Sequence, residues 1–181
     1  MPSRPPPLVE IVRHLDGDRP WHGLLVAESE QLVVVHQVSD RFDLDGWCAF
    51  RKEDIETIDT EFDKRDLVAR ALALKAQQPV VPAGLDLASM RRLMETAQAL
   101  SGILVIGREL IHDDEVEVGT IRMNSDDTYV LRYMTTNAEW VIDDRPFRYR
   151  DVTRLEFGAE YEQTLLAVAR SREGGDEGQA A

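Results

Sequence analysis

The densest set of potential metal ligands in the chain is His112-Asp113-Asp114-Glu115-Val116-Glu117. Hard cations such as calcium or magnesium need several carboxylate oxygens converging on one point, and a turn of acids can supply them. One reading is therefore a metal-dependent hydrolase built on His112, Asp113, Asp114 and Glu115. Consecutive strand residues point to opposite faces, however, and a single histidine is present, so a solvated loop before a strand is the simpler account. Asp40-Arg-Phe-Asp-Leu-Asp-Gly46 has the acids and glycine of a calcium loop. Setting Gly46 at the sixth position puts Arg41 and Lys52 in the first and twelfth ligand slots, where both repel the ion. A hairpin turn remains, and no metal or other cofactor is expected.

Nucleophilic chemistry has little to work with. Cys48 is the single cysteine, which excludes an internal disulfide and a multi-cysteine zinc site. Beside Trp47 on an expected strand, it reads as a small packed hydrophobe. A reactive thiol would need a base, His22 or His36, brought to it by the fold. No Gly-x-Ser-x-Gly elbow, phosphate loop, Gly-x-Gly-x-x-Gly turn or His-Glu-x-x-His helix occurs.

Binding chemistry is better supplied. Trp21, between Pro20 and His22, sits at an expected loop-to-strand junction and is the large aromatic best placed to be exposed as an anchor. Arg145, Arg148, Arg150 and Arg154 form a row if alternate strand residues share a face. Such a row can bind an anion or support self-association; alternatively, it pairs with Asp143, Asp144, Asp151 and Glu156.

These residues need elements to hold them. The 181 residues suit one ordinary domain or two small ones. Leu24–Ala27 and Leu32–His36 read as a hairpin, Trp47–Phe50 as a strand, and Ile55-x-x-Ile58 follows a charged turn. Asp66–Lys75 carries the stripe of an amphipathic helix. Asp86 or Ser89 caps a second helix reaching Leu100, with Gly102 at its end. Strands are then expected near 103–106, 116–121, 128–133, 139–142 and 152–157, and a last helix from Glu160 to Arg172. Residues 1–7 read as a proline-rich lead-in.

The two halves share a pattern. Gly23, Trp47 and Asp54-Ile55-x-x-Ile58 recur as Gly119, Trp140 and Asp151-Val152-x-x-Leu155, each leading toward a helix. This pattern resembles the small five-stranded barrels of the Sm-like class, in tandem, and is similar to uncharacterised bacterial proteins with that arrangement. The resemblance implies two barrels and, through the class, binding of uridine-rich RNA. The RNA-binding loops of the class, of Asp-x-x-Met-Asn and Arg-Gly type, do not carry over. The matching segments read Met123-Asn-Ser-Asp-Asp127 and Glu28-Ser-Glu-Gln31.

The expected fold is thus α+β: two small, strongly bent antiparallel barrel-like units, a connecting helix and a C-terminal helix. Residues 1–82 form the first unit, 83–172 the second, and 173–181 a disordered acidic tail. Net charge is -13, shared by both halves, which opposes phosphate binding and makes nucleic acid an unfavourable partner. No apolar run spans a bilayer and the N-terminus lacks a signal-peptide core, so a cytoplasmic location is expected. The leading functional expectation is a non-enzymatic protein-binding or adaptor module, using Trp21, Arg145, Arg148 and Arg150. The alternatives are an acidic inhibitor of a basic toxin or nuclease, an Sm-like RNA binder, and the metal-dependent hydrolase.

Overall fold

A computed structural model describes residues 5–17, 19–112 and 115–176. Ten strands and three helices follow one another as β1 Leu8–Arg13, β2 Trp21–Glu28, β3 Leu32–Val38, β4 Leu44–Arg51, β5 Ile55–Asp59, α1 Arg65–Leu74, α2 Met90–Ser101, β6 Leu104–Gly107, β7 Val116–Met123, β8 Thr128–Met134, β9 Trp140–Arg148, β10 Arg154–Phe157 and α3 Glu160–Asp176. Short 3-10 turns, Lys52–Asp54 and Tyr149–Asp151, precede β5 and β10.

The two separate barrels expected from the sequence do not form. All ten strands make one open antiparallel sheet in the order β5-β1-β2-β3-β4-β10-β6-β7-β8-β9. The cause is a pairing between distant segments: β4 runs against β10, with Phe157 opposite Trp47 and Leu155 opposite Ala49. Cys48, Ala49, Phe50, Leu155 and Phe157 are all fully buried, so leaving either strand as an edge would expose apolar surface as well as unpaired backbone. The order β10-β6-β7-β8-β9 nevertheless repeats β5-β1-β2-β3-β4 position for position. Gly23 and Gly119 hold corresponding places in β2 and β7, pairing with Gln37 and Tyr133. A side chain at Gly23 would lie 2.7 Å from the Val35 Cβ, and one at Gly119 would strike the Arg132 carbonyl oxygen. Glycine permits this close strand approach in both halves.

Strand β3 shows how the sequence builds the core. Leu32-Val-Val-Val35 is buried on both faces: Leu32 and Val34 enter one cluster, Val33 and Val35 another. A continuous β-branched run reads in this way when both sheet faces are covered. The cover on one face is α2. Ser89 caps it by accepting the Arg92 N–H at 3.2 Å, and Gly102 ends it in the left-handed conformation at φ 78°. Its buried stripe, Met90, Leu93, Met94 and Ala97, packs on Leu32, Val34 and Ala49 of the first half and on Leu104, Ile106 and Leu131 of the second. One core therefore straddles the seam between β4 and β10. Helix α1 covers Leu8 and Leu24 with Val68 and Leu72, and α3 packs Leu166 and Ala169 on Ile103 and Met134. Helix α3 runs to Asp176; the rest of the acidic tail, 177–181, lies outside the described residues. Among the described residues no helix is long and apolar enough to cross a membrane.

Candidate functional site

In each half, the loop between the second and third strands lies beside the 3-10 turn that follows the fourth. The Lys52 N–H donates to the Gln31 carbonyl at 2.8 Å, and the Tyr149 N–H to the Asp127 carbonyl at 3.1 Å. The β4–β10 pairing brings these two sets together, and Arg51 Nη1 donates to the Arg150 carbonyl at 2.8 Å. The first turn of α2 closes the third side. The result is a cleft of about 1280 Å³ at the seam.

Six cationic side chains line it, Arg51, Lys52, Arg91, Arg92, Arg148 and Arg150, against the four carboxylates of Glu30, Glu53, Asp126 and Asp127. In a chain of net charge -13 the lining itself thus carries more cations than carboxylates, although Glu28, Asp54, Asp86 and Glu95 stand directly behind it. Four of the cations have tight partners. Arg51 grips Asp54 through two bonds of 2.7 and 2.9 Å. Lys52 reaches Glu28 at 2.9 Å, Arg91 pairs with Glu95 and Asp126, and Arg92 with Asp86 and Glu95. Hydrogen bonds to these carboxylates hold the Arg91 and Arg92 guanidinium groups above their ordinary pKa. Arg150, with a side chain 73% exposed, lies 3.9 Å from Asp151, its one ion pair among the described residues. Arg148 has no ion pair among the described residues.

Helix α2 also breaks a local rule. Its first turn contains no acid and two arginines, although the positive end of the helix dipole favours carboxylates there. The Met90 and Arg91 amides have no acceptor among the described residues. Asp86, Glu95 and Asp126 offset the two arginines, so the helix dipole and these two amides are what the helix start presents to an anion in the cleft.

The sequence-predicted residues distribute unevenly around this site. Arg148 and Arg150 line the cleft, but the row of four arginines does not form. A bulge in β9, opposite the Tyr129–Leu131 segment, and the 3-10 turn at Tyr149–Asp151 break the two-residue alternation. Arg145 lies on β9 outside the cleft and bonds Asp143 at 2.6–3.1 Å. Trp21 is half-buried rather than an open anchor: its Nε1 donates to Asp16 at 2.8 Å and its ring packs edge-on to Phe50 at 5.3 Å. His112 and Glu115 lie in the β6–β7 connection, while Asp113 and Asp114 fall outside the described residues. Among the described residues no three His, Cys, Asp or Glu side chains are grouped to hold a metal. Arg91 and Arg92 escaped sequence reasoning, although an Arg-Arg pair just after a serine cap is itself an electrostatic anomaly.

Trp21 belongs to a second polar cluster, built around Phe50 and Arg154, which pair across the seam. Arg13, with a fully buried side chain, bonds Asp16 and lies 3.1 Å from Glu109 across the halves. Its Nη1 donates to the Thr153 carbonyl at 3.3 Å, and the guanidinium stacks on Phe50 at 5.0 Å. Arg154 lies 3.0 Å from Glu109 and covers the Trp21 ring at 4.8 Å. The Thr153 hydroxyl donates to Glu109. Although burial raises both carboxyls, the bonds to Thr153 and Arg13 prevail, and Glu109 and Asp16 stay below their ordinary pKa. The adjoining recess of about 770 Å³ is lined by Asp16, Trp21, Glu109 and Arg154 of this cluster together with Arg19, Asp40 and Glu115. This cluster joins the halves.

Cys48 is fully buried in β4, and desolvation pushes its thiol well above the ordinary range. His36 stacks on Trp47 at 5.1 Å, and its Nδ1 accepts the Val80 N–H at 3.1 Å. Burial favours the neutral ring and lowers its pKa, against the pull of Asp45.

The fold and cleft define a ten-stranded antiparallel sheet protein with a cationic groove at its internal seam. Comparison with protein-family models, with curated proteins and with solved structures finds no match.

Proposed function

We propose that the chain is a non-enzymatic binding module that holds a short acidic segment of a protein partner in the seam cleft. The carrying observation is that Arg148 and Arg150 face this cleft without tight carboxylate partners among the described residues, in a chain whose net charge is -13. A guanidinium not yet committed to a carboxylate gives up less on binding than one already paired, so these two arginines are the groups available to a ligand. The volume exceeds that of a typical small-molecule pocket, which extends to about 1000 Å³, and leaves room for several residues of a peptide. The acidic remainder of the surface favours a short segment over a long polyanion. Repulsion from charges beyond about 8–10 Å is screened at physiological salt, whereas a polyanion reaches many of them directly.

The test is a pull-down from source-cell lysate with the chain as bait, at low and high salt, beside the double variant Arg148→Glu/Arg150→Glu. The expected result is a protein retained by the wild type and lost by the variant, with weaker retention at high salt. A basic partner held equally by both baits would overturn the cleft and favour an inhibitor acting through its acidic surface. Recovery of no partner at either salt would also count against the reading.

A further inference from the structure

Resting on the reading of the cleft as the binding site, we infer that Arg148, Arg150 and the first turn of α2 form a subsite for a phosphomonoester, the anchor group of the bound segment. Three independent observations converge. The first is the contrast between the halves. Arg51 and Arg148 both end a fourth strand, three residues before an aspartate. Arg51 is neutralised by Asp54, whereas Arg148 makes no ion pair with Asp151. The second is the start of α2, where the Met90 and Arg91 amides have no acceptor among the described residues, at the turn where the dipole attracts anions, with Arg91 and Arg92 held beside them by Glu95, Asp126 and Asp86. The third is Tyr149. This residue is only 6% exposed, forms part of the cleft lining, and has a hydroxyl with no hydrogen-bond partner among the described residues. A buried hydroxyl left without a partner is unfavourable, and a small turn of the ring toward the cleft would let an oxygen-rich ligand or the water it carries satisfy it.

Phosphate fits this set better than a carboxylate. It carries about two negative charges near neutral pH and three acceptor oxygens, enough for two guanidinium forks and an amide together. A single carboxylate satisfies one fork. The two arginines stay exposed, so the subsite recognises a group delivered from solvent.

The test is NMR of the arginine side-chain Nε–Hε and backbone amide signals of the full chain. It is titrated in separate arms with inorganic phosphate, capped phosphoserine, capped glutamate and capped serine. The expected result is that both phosphate arms shift Arg148, Arg150, Met90 and Arg91 together, with phosphoserine roughly tenfold tighter than glutamate, the scale of one added charge-assisted bond. Phosphoserine tighter than inorganic phosphate supports a protein-borne group; the reverse order overturns the protein-borne source and leaves a free phosphate ligand. Arg148→Ala/Arg150→Ala should abolish the shifts. Tyr149→Phe should weaken them severalfold while leaving the fold intact, and unchanged binding would remove the hydroxyl from the subsite. Shifts spread evenly to Arg122 and Arg170, or none, would overturn the inference. Equal binding of glutamate and phosphoserine would overturn the phosphate assignment while leaving the cleft reading in place. Loss of the cleft reading itself is seen separately, as a partner retained by the Arg148→Glu/Arg150→Glu bait.

Discussion

Arg51 and Arg148 occupy corresponding places in the two halves of the sheet, and only Arg51 is locked to the aspartate three residues on. The first arginine is a structural tie between β4, its 3-10 turn and the Arg150 carbonyl. The second is held in place by its backbone but keeps its charge available.

This difference predicts opposite mutational behaviour. Arg51→Ala should cost about 2 kcal/mol, because it strands the buried Asp54 carboxylate and removes a bond to Arg150. Arg148→Ala should stay within about 0.5 kcal/mol of the wild type, as for an exposed residue with no ion pair among the described residues. Urea denaturation of the two variants measures both, and equal destabilisation would contradict the assignment.

The buried cluster around Glu109 gives a pH prediction. The folded-state pKa of Glu109 lies below its ordinary value of 4.5, so its contribution is complete above that pH and is lost as pH falls through the folded value. Glu109→Gln should therefore destabilise by about 3 kcal/mol at pH 7, since it leaves the buried Arg13 short of a counter-charge. The gap between variant and wild type should narrow as the pH drops below 4.5, which thermal melts across a pH series will show.

Glu156 carries the opposite sign. Burial raises its pKa above 4.5, against the pull of Arg154, so its charged form is disfavoured in the fold. Its unfavourable contribution is absent below 4.5 and complete once pH rises past the folded value. Glu156→Gln should raise the Tm at pH 7–8, with the gain vanishing near pH 4. A lower Tm at pH 7 would show that its contact with Arg154 outweighs its burial.

Cys48 supplies a probe of global opening. Fully buried between β3 and β10, its thiol should react with a disulfide reagent only as fast as the sheet opens. Stopped-flow labelling should show negligible reaction in native buffer and full reaction in denaturant. Fast native labelling would mean that the seam opens locally.

Much of the fold was legible in local pattern. Ser89 and Gly102 bound α2 as the caps required, and the β-branched runs marked β3 and β8. Strand β1 was missed because Leu8-Val-Glu-Ile-Val-Arg13 follows a proline run and ends in an arginine, which reads as solvent-facing. Here Arg13 is nonetheless buried, because Asp16 and Glu109 come to meet it. The merging of the halves was illegible for a related reason: it depends on β4 and β10 meeting across about a hundred residues, and no local period encodes that encounter. Arg148 and Arg150 could be proposed from the sequence, whereas their grouping with the start of α2 required the seam.

The same pairing has a consequence during synthesis. Strand β4 must wait for β10, about a hundred residues later, which takes on the order of ten seconds at ordinary elongation rates. Through that interval Cys48, Ala49 and Phe50 present an unpaired apolar edge, the kind of template on which nascent chains associate. The seam that creates the cleft is thus also the step at which the growing polypeptide most depends on slow initiation, low crowding of neighbouring ribosomes, or a chaperone covering that edge.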